Sequence, residues 1–572
     1  ANGFNILSHD TLNLQIKLAI GLSLIAEEWG VVFDGITDNT LSEQAVNNYG
    51  SLNGLDVIYS PGATKRSQIT LNGGHSVISK NTKIIQTYSG NQPSAGQTTV
   101  SAAFFCAKLS SNINIDGFEF EQDASTFPAI DAAYLSFIAP IVGYRADRVI
   151  TKNCKFKNIV STRAVLYRGG NYCEVVNNYG ENAGFTMQLG EKDNFFLGDP
   201  SSDSSVVYSP VGAVINNNTV IGYNKDQHAF FYTGAQKFQM LNNKCLEINS
   251  ILSNAFYLRV GDLGATDTAG NQTEDVWGVC SGNHASGVCL AAYAVNGDTS
   301  YGIGITDFNM RVSLLENTGD VNGEGFNFEN ASFLNGRGNN VRSTNAIVRI
   351  SRNCDLMDFS GNTLHCINGT DESSSGNTAI FISGNTTGNF KLKSNAIITG
   401  ANCLHAIKNL STIPSSIDIS DTEIVFNSSS GSPTPISINS TGDLLLFKFR
   451  FVNSSSSLSN RNIASIITTG DVNMDAATVN ESGSNSRGFE VSCKSYRGCN
   501  IAIPSLNLTF TVNSIIASSE INKKSSIAVE SINVTGGPVS KLILSDLILQ
   551  NSATARTLRI NEIPLAKLNN VY

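Results

Sequence analysis

The chain has 572 residues, of which only 15% are charged, with 50 glycines and a formal net charge of -9. Lysine and arginine are scattered rather than clustered, so there is no basic stripe for a nucleic-acid backbone. The longest apolar stretch, Ile16 to Ala26, contains Lys17 and is too short to span a bilayer.

In chain order, Asp10 to Glu28 has helical periodicity, with Asp10 or Thr11 as a cap and Leu14, Leu18, Leu22 and Ile25 on one face. Residues 1–30 are therefore expected to form a helical neck or oligomer contact. The initial Ala suggests a segment upstream of residue 1. Residues 31–40 read VVFDGITDNT. They lack the spacing and closing glutamate of a calcium loop and the glycines and lysine of a phosphate loop. The expectation is a turn bent at Asp34 and Gly35, with Asp38 or Thr40 capping a short helix that carries Leu41, Ala45 and Val46. A strand from Leu55 then ends at Pro61 and Gly62, which closes an entry region over 31–62.

From residue 63 to 427 one phrase recurs, a short strand followed by asparagine, at Asn153, Asn178, Asn218, Asn243, Asn283, Asn317, Asn362 and Asn395. The spacings are 25, 40, 25, 40, 34, 45 and 33 residues, by subtraction of those positions. A minimum near 25 with variable additions is the pattern of a solenoid coil with unequal loops. Each coil carries a second strand, as in AVLYRGG from Ala164, GFTMQLG from Gly184 and AFYLRVG from Ala255. Their alternation predicts an all-β parallel β-helix. The asparagines suit strand corners, where Asn tolerates the left-handed region and stacked amides can bond from coil to coil. Beyond Asn427 the phrase fades into Ser/Thr/Asn-rich linkers, so 428–572 is expected to be a C-terminal β-domain for trimerisation or carbohydrate binding. Either a sandwich or a modified continuation of the helix satisfies that pattern. The eleven cysteines are odd in number and lack a tight C-x-x-C pair, which predicts buried free thiols. No metal or cofactor motif is present.

The order of entry turn, short helix, Pro-Gly strand and asparagine-marked coils resembles the pectate-lyase-like right-handed β-helix superfamily. Within it, the chain is similar to the bacteriophage tailspike polysaccharide depolymerases. The resemblance spans roughly residues 31 to 430, with Phe33 and Asn39 departing from the family's usual Gly and Asp. It implies a homotrimer on the phage tail, made in the host cytoplasm, released on lysis and attached to tail or other spike proteins through the upstream segment. Such a spike binds and usually cleaves bacterial capsular or O-antigen polysaccharide, with no cofactor. The polygalacturonase signatures are not reproduced, since Gly73-Gly74-His75 and Arg349-Ile350-Ser351 stand out of order.

Glycoside hydrolysis needs two carboxyl groups, about 5–5.5 Å apart for retention and about 6.5–9.5 Å for inversion. Coils stacked about 4.8 Å apart can supply either spacing. Aligning second strands on Phe185, Phe230, Phe256 and Phe326 places Glu181 and Asp226 four residues before the aromatic, with His228 and Glu324 two before it. Gln188, Arg259 and Glu329 follow it, and Arg168 is equivalent in its own strand. The expected acid/base pair is Glu181 with Asp226, and His228 is the candidate base for β-elimination of a uronic-acid substrate. Arg168 and Arg259 would hold acidic groups, Gln188, Glu324 and Glu329 would contact sugar, and Tyr257 would stack on a ring. Glu191, Asp193, Glu274 and Asp275 are reserve acids in acidic loops, and Trp277 suits either the core or a sugar platform. A water-facing solenoid stripe of mixed charge also arises without catalysis, so a purely binding spike is the competing function.

Overall fold

The structure is a computed structural model that describes residues 23–90, 100–107, 109–127, 138–161, 163–188, 211–222, 229–233, 237–259, 276–296, 310–329, 331, 333–351, 354, 356–369, 377–383, 389–410, 416–429, 433–453, 462–475, 478–481, 488–499, 509–514, 518–522, 531–535, 541–547, 558–561 and 565–571. They belong to two compact units, Ala1–Asn309 and Met310–Tyr572. The strands within each unit pair in parallel from coil to coil, giving the expected right-handed parallel β-helix.

At the N-terminus, Leu24–Ile25 is a strand paired in parallel with Val57–Tyr59, and Ala26–Trp29 is a 3-10 turn. The helix expected through Glu28 therefore does not extend over these residues, because Leu24 is spent on the core at 3% exposure. Residues 1–22 lie outside the described set. The entry turn is as expected: the Asp34 carboxylate accepts from the N–H groups of Ile36 and Thr37, both at 2.8 Å, and Gly35 adopts a φ of 72°. Asp38 accepts from the N–H of Thr40 at 2.9 Å, at the start of the helix Thr40–Asn53.

That helix buries a polar face. Leu41 is exposed, as is Ala45, while Glu43, Val46, Asn47 and Gly50 are buried. The reason lies beneath it. Arg66 is fully buried, pairs with Glu43 and lies 4.0 Å from the Phe104 ring centroid. Thr64 donates its hydroxyl to the same carboxylate. Asn47 donates to the Tyr59 hydroxyl at 2.8 Å, and His75 packs 3.3 Å from the Asn47 carbonyl oxygen. Helix and first coils are thus joined by a buried ion pair rather than by leucines.

The corners follow a two-residue rule. Asn177, Asn217, Asn242 and Gly282 take the left-handed conformation, and the next residue, Asn178, Asn218, Asn243 or Asn283, points inward and is buried. The Asn218 amide is used completely. Asn218 Nδ2 donates to Asn243 Oδ1 at 3.0 Å and to the Val175 carbonyl at 2.8 Å. Its Oδ1 accepts from the Asn178 N–H at 2.9 Å and Nδ2 at 3.0 Å. In the second unit the same chain runs through Asn317, Asn339, Asn362 and Asn395, with Thr422 next at 3.4 Å. Asn339 divides the longest sequence spacing into steps of 22 and 23 residues. Asn153, aligned with the others in sequence, is itself the left-handed residue, and Cys154 occupies the inward position one residue later.

Inside the first unit the rings of Phe120, Phe156, Phe185, Phe231, Phe256 and Tyr293 succeed one another at 5.0–5.8 Å between neighbours. In the second unit the parallel ladders cross residue 427 without interruption: Glu423 pairs with Arg450, and Ile407 with Ile436 and then Ala464. Parallel pairing persists to Leu565–Val571. Of the two forms open for 428–572, the strands are therefore a continuation of the helix. Ten cysteines among the described residues are free and buried, as expected.

Two stability outcomes follow from this packing. Asn218→Leu strands the donors of Asn178 and is expected to lower unfolding free energy by about 2–4 kcal/mol, whereas Asn217→Gly, at the exposed left-handed corner, changes it by less than about 1 kcal/mol. Arg66→Met leaves Glu43 buried without its cation and should cost about 3–5 kcal/mol; adding Glu43→Gln should recover most of that. Urea denaturation midpoints measure both comparisons.

Candidate functional site

The strands before each corner form one ladder, and the strands after it form two others. On the second-strand ladder of the first unit, Val165 pairs with Phe185, Phe185 with Phe231, and Phe231 with Phe256. Arg168 pairs with Gln188, and Arg259 stands three residues after its own inward ring, as Gln188 does. The alignment of Arg168, Gln188 and Arg259 therefore holds at the backbone level. Arg168 is 8% exposed at the end of its strand.

The frame for Asp226 and His228 does not hold. Phe231, not Phe230, stacks on Phe185 and Phe256, because two adjacent phenylalanines offer the same signal and only packing chooses the inward ring. Asp226 and His228 themselves lie outside the described residues, as do Glu191, Asp193, Glu274 and Asp275. Glu181 belongs to a different ladder, where it pairs with Ile221 and accepts from the Tyr179 hydroxyl at 3.0 Å. Burial first, then that hydrogen bond and the charges of Glu181 and Glu247, raise the Tyr179 phenol above its ordinary value. Tyr257 is a correction as well: it is 8% exposed and packed against Ala291 and Ala294, so no ring face is open to a sugar. Trp277 is 47% exposed and is not a core residue.

The most complete polar cluster is in the second unit, around Glu324 and Glu329. Both lie on the strand Thr318–Glu329, whose inward residues Phe326 and Phe328 pack against Phe359. Asn327 and Glu329 alternate with those rings and face outward. Glu324 is buried at 4% exposure. Its Oε1 lies 3.4 Å from Arg349 Nη1, and its Oε2 accepts from Asn327 Nδ2 at 2.8 Å. Glu329 accepts from the Ser351 hydroxyl at 3.0 Å. The Glu324 carboxylate is thus held at the Asn327–Arg349 rung and the Glu329 carboxylate at the Glu329–Ser351 rung. Alternate residues of a strand are separated by about 6–7 Å, so these carboxylates sit on rungs at the lower edge of the spacing used for inversion. The rung continues from Arg349 to Phe381 and then Lys408, both of which are buried, at 5% and 4% exposure.

Alignment on Phe326 picks out Glu324 and Glu329 in the sequence, but not Arg349, Asn327, Ser351, Phe381 or Lys408, which the structure places beside them. The usable signal is the inward triplet Val348, Ile380 and Ile407, each one residue before Arg349, Phe381 and Lys408, which marks three further second strands. Their short lengths and unequal loops hide it. The signature-like His75 is in the helix cap, where burial lowers its pKa below the usual imidazole value. Among the described residues no cluster of His, Cys, Asp and Glu is arranged to hold a metal, and no helix is long and apolar enough to cross a membrane.

No family model and no curated protein matches the chain. Among solved structures it is similar to tailspike protein 3 of bacteriophage CBA120, at 10% identity over 96% of this chain and 61% of that one, with a TM-score of 0.33. It is also similar to the hyperthermoactive exopolygalacturonase of Thermotoga maritima, at 10% identity over 75% and 92% of the two chains, TM-score 0.32. A surface adhesin of Streptococcus pneumoniae is similar at 12% identity over 86% and 93%, TM-score 0.32. Similarity at this level carries no information about chemistry.

Proposed function

We propose that this chain is a phage tailspike, a homotrimer on the virion, that binds and depolymerises an acidic bacterial capsular polysaccharide by glycosidic hydrolysis. The observation that carries this reading is the pair Glu324 and Glu329 on one strand, braced by Arg349, Asn327 and Ser351 beside Phe381. Glu329, bonded to a neutral hydroxyl, is the general acid that protonates the glycosidic oxygen. Glu324, ion-paired with Arg349, is the general base. It takes a proton from water as the hydroxide attacks the anomeric carbon and the glycosidic C–O bond breaks. Phe381 and Lys408 are covered, at 5% and 4% exposure, so they do not meet the sugar; Arg349, whose side chain is 25% exposed, supplies the charge for a uronate or pyruvate group. Glu181 with Asp226 and His228, beside Arg168, Gln188 and Arg259, is the alternative site on the first unit.

One observation favours binding without cleavage: Glu324 is nearly covered and both its oxygens are engaged. The two readings separate on a panel of purified capsular polysaccharides. Hydrolysis shortens one of them and creates saturated reducing ends. Glu329→Gln and Glu324→Gln are each expected to lower kcat by about 10²–10⁴, while Glu181→Gln and Asp226→Asn stay within about threefold of wild type, an order-of-magnitude allowance for a surface change. Unchanged chain length with retained binding establishes a receptor-binding spike. A conjugated-alkene chromophore in the products establishes a lyase, and loss of activity only in the Glu181 and Asp226 variants moves the site to the first unit.

A further inference from the structure

Two of the buried thiols meet. Cys366 ends the strand Thr363–Cys366, and Cys403 lies in the turn that follows the next coil's strand Ala396–Thr399. Their sulfurs are 3.5 Å apart, although the residues are separated by 37 positions. Neither side chain is exposed, but the turn that carries Cys403 also carries the exposed Ala401 and Asn402. Cys366 also lies 3.1 Å from the Asn345 carbonyl oxygen, as Cys154 and Cys173 lie against backbone carbonyls at 3.2 and 3.3 Å and Cys280 lies 3.2 Å from the Asn283 amide, but Cys366 and Cys403 also meet each other.

We propose that Cys366 and Cys403 are an oxidation site, at which a peroxide-class oxidant converts the two thiols into an intrachain disulfide that staples successive coils of the second unit. A disulfide needs the sulfurs at about 2.05 Å, a closure of roughly 1.5 Å that a strand end and a turn can supply more readily than two mid-strand positions. The chemistry balances. Cys403, whose thiol is made more acidic by the hydrogen bond it shares with Cys366, attacks one peroxide oxygen as the thiolate. The O–O bond breaks, the departing hydroxide collects a proton as water, and Cys403 becomes a sulfenic acid. The Cys366 sulfur then attacks that sulfur, the S–S bond forms, and the S–O bond breaks with loss of a second water. Two thiols give up two electrons to one peroxide.

The staple closes a loop of 37 residues and joins the coil of Cys366 to the one whose next strand, His405–Asn409, carries Lys408. The test treats the purified full chain with hydrogen peroxide, traps remaining thiols and maps the peptides. The expected product is a linked peptide pair containing Cys366 and Cys403, with the thiol count of the denatured chain reduced by two from eleven. The thermal midpoint of the second unit should rise by about 5 °C over the reduced protein. Cys403→Ser should show neither the link nor the rise, and Cys154→Ser should show both. A thiol count that stays at eleven, or a link formed by other cysteines, overturns the proposal. If Cys403→Ser fails to fold, the wild-type peptide map decides alone.

Discussion

The fold depends on one interaction, the fully used amide of a buried asparagine at a strand corner. A carboxamide has two donors and an acceptor with two lone pairs, and a corner inside a stack offers two coils to receive them. Asn218 spends all four bonds on the coils before and after it. No apolar side chain satisfies the corner N–H of the preceding coil and the carbonyl behind it together; the Thr422 hydroxyl does so for Asn395 and Leu392, but asparagine alone adds the amide-to-amide bond from coil to coil. Because the amide is locked between coils, strand register is locked too, and inward and outward residues stay in line from coil to coil. The phenylalanine stack and the outward rungs of the candidate site both inherit that alignment.

The ends of such a ladder need other solutions. At the start, the helix Thr40–Asn53 lays Glu43 over Arg66, so a charge pair takes the place of a preceding coil. A buried pair of this kind specifies one docking geometry more than it adds stability, since its desolvation cost is large. At the other end, Asn395 bonds to Thr422, and Phe449 takes the next inward position. The corner becomes apolar there while the strands keep pairing in parallel.

This explains what could be read from the sequence and what could not. The asparagine phrase revealed the solenoid because the ladder repeats a polar residue where core residues would otherwise be interchangeable. Its fading near residue 427 looked like a domain boundary but marks only a change of corner chemistry at Thr422 and Phe449. Asn153 was misplaced by one residue because Asn serves both the left-handed corner and the inward rung. Asn339 is hidden in the sequence because it sits in the run GRGNN, where two adjacent asparagines blur the phrase. The Phe230–Phe231 ambiguity shifted the frame for Asp226, and Leu41 misled because an amphipathic pattern cannot anticipate a buried Glu–Arg pair. At the site, Glu324 and Glu329 share a strand and were found by counting from one aromatic. Arg349, Phe381 and Lys408 sit on later coils and are brought alongside only by register.

The candidate site in the second unit brings Glu324, Glu329 and Arg349 together beside the strand whose alternation buries Phe326 and Phe328, with Phe381 and Lys408 covered on the following rungs. The most direct measurement is a crystal structure of the full chain with a bound repeat-unit oligosaccharide from a polysaccharide it recognises. The account predicts a sugar over the Asn327–Arg349 rung with a glycosidic oxygen within hydrogen-bond reach of Glu329. A sugar seated instead on the Arg168, Gln188 and Arg259 rung, with Glu324 and Glu329 untouched, would contradict it.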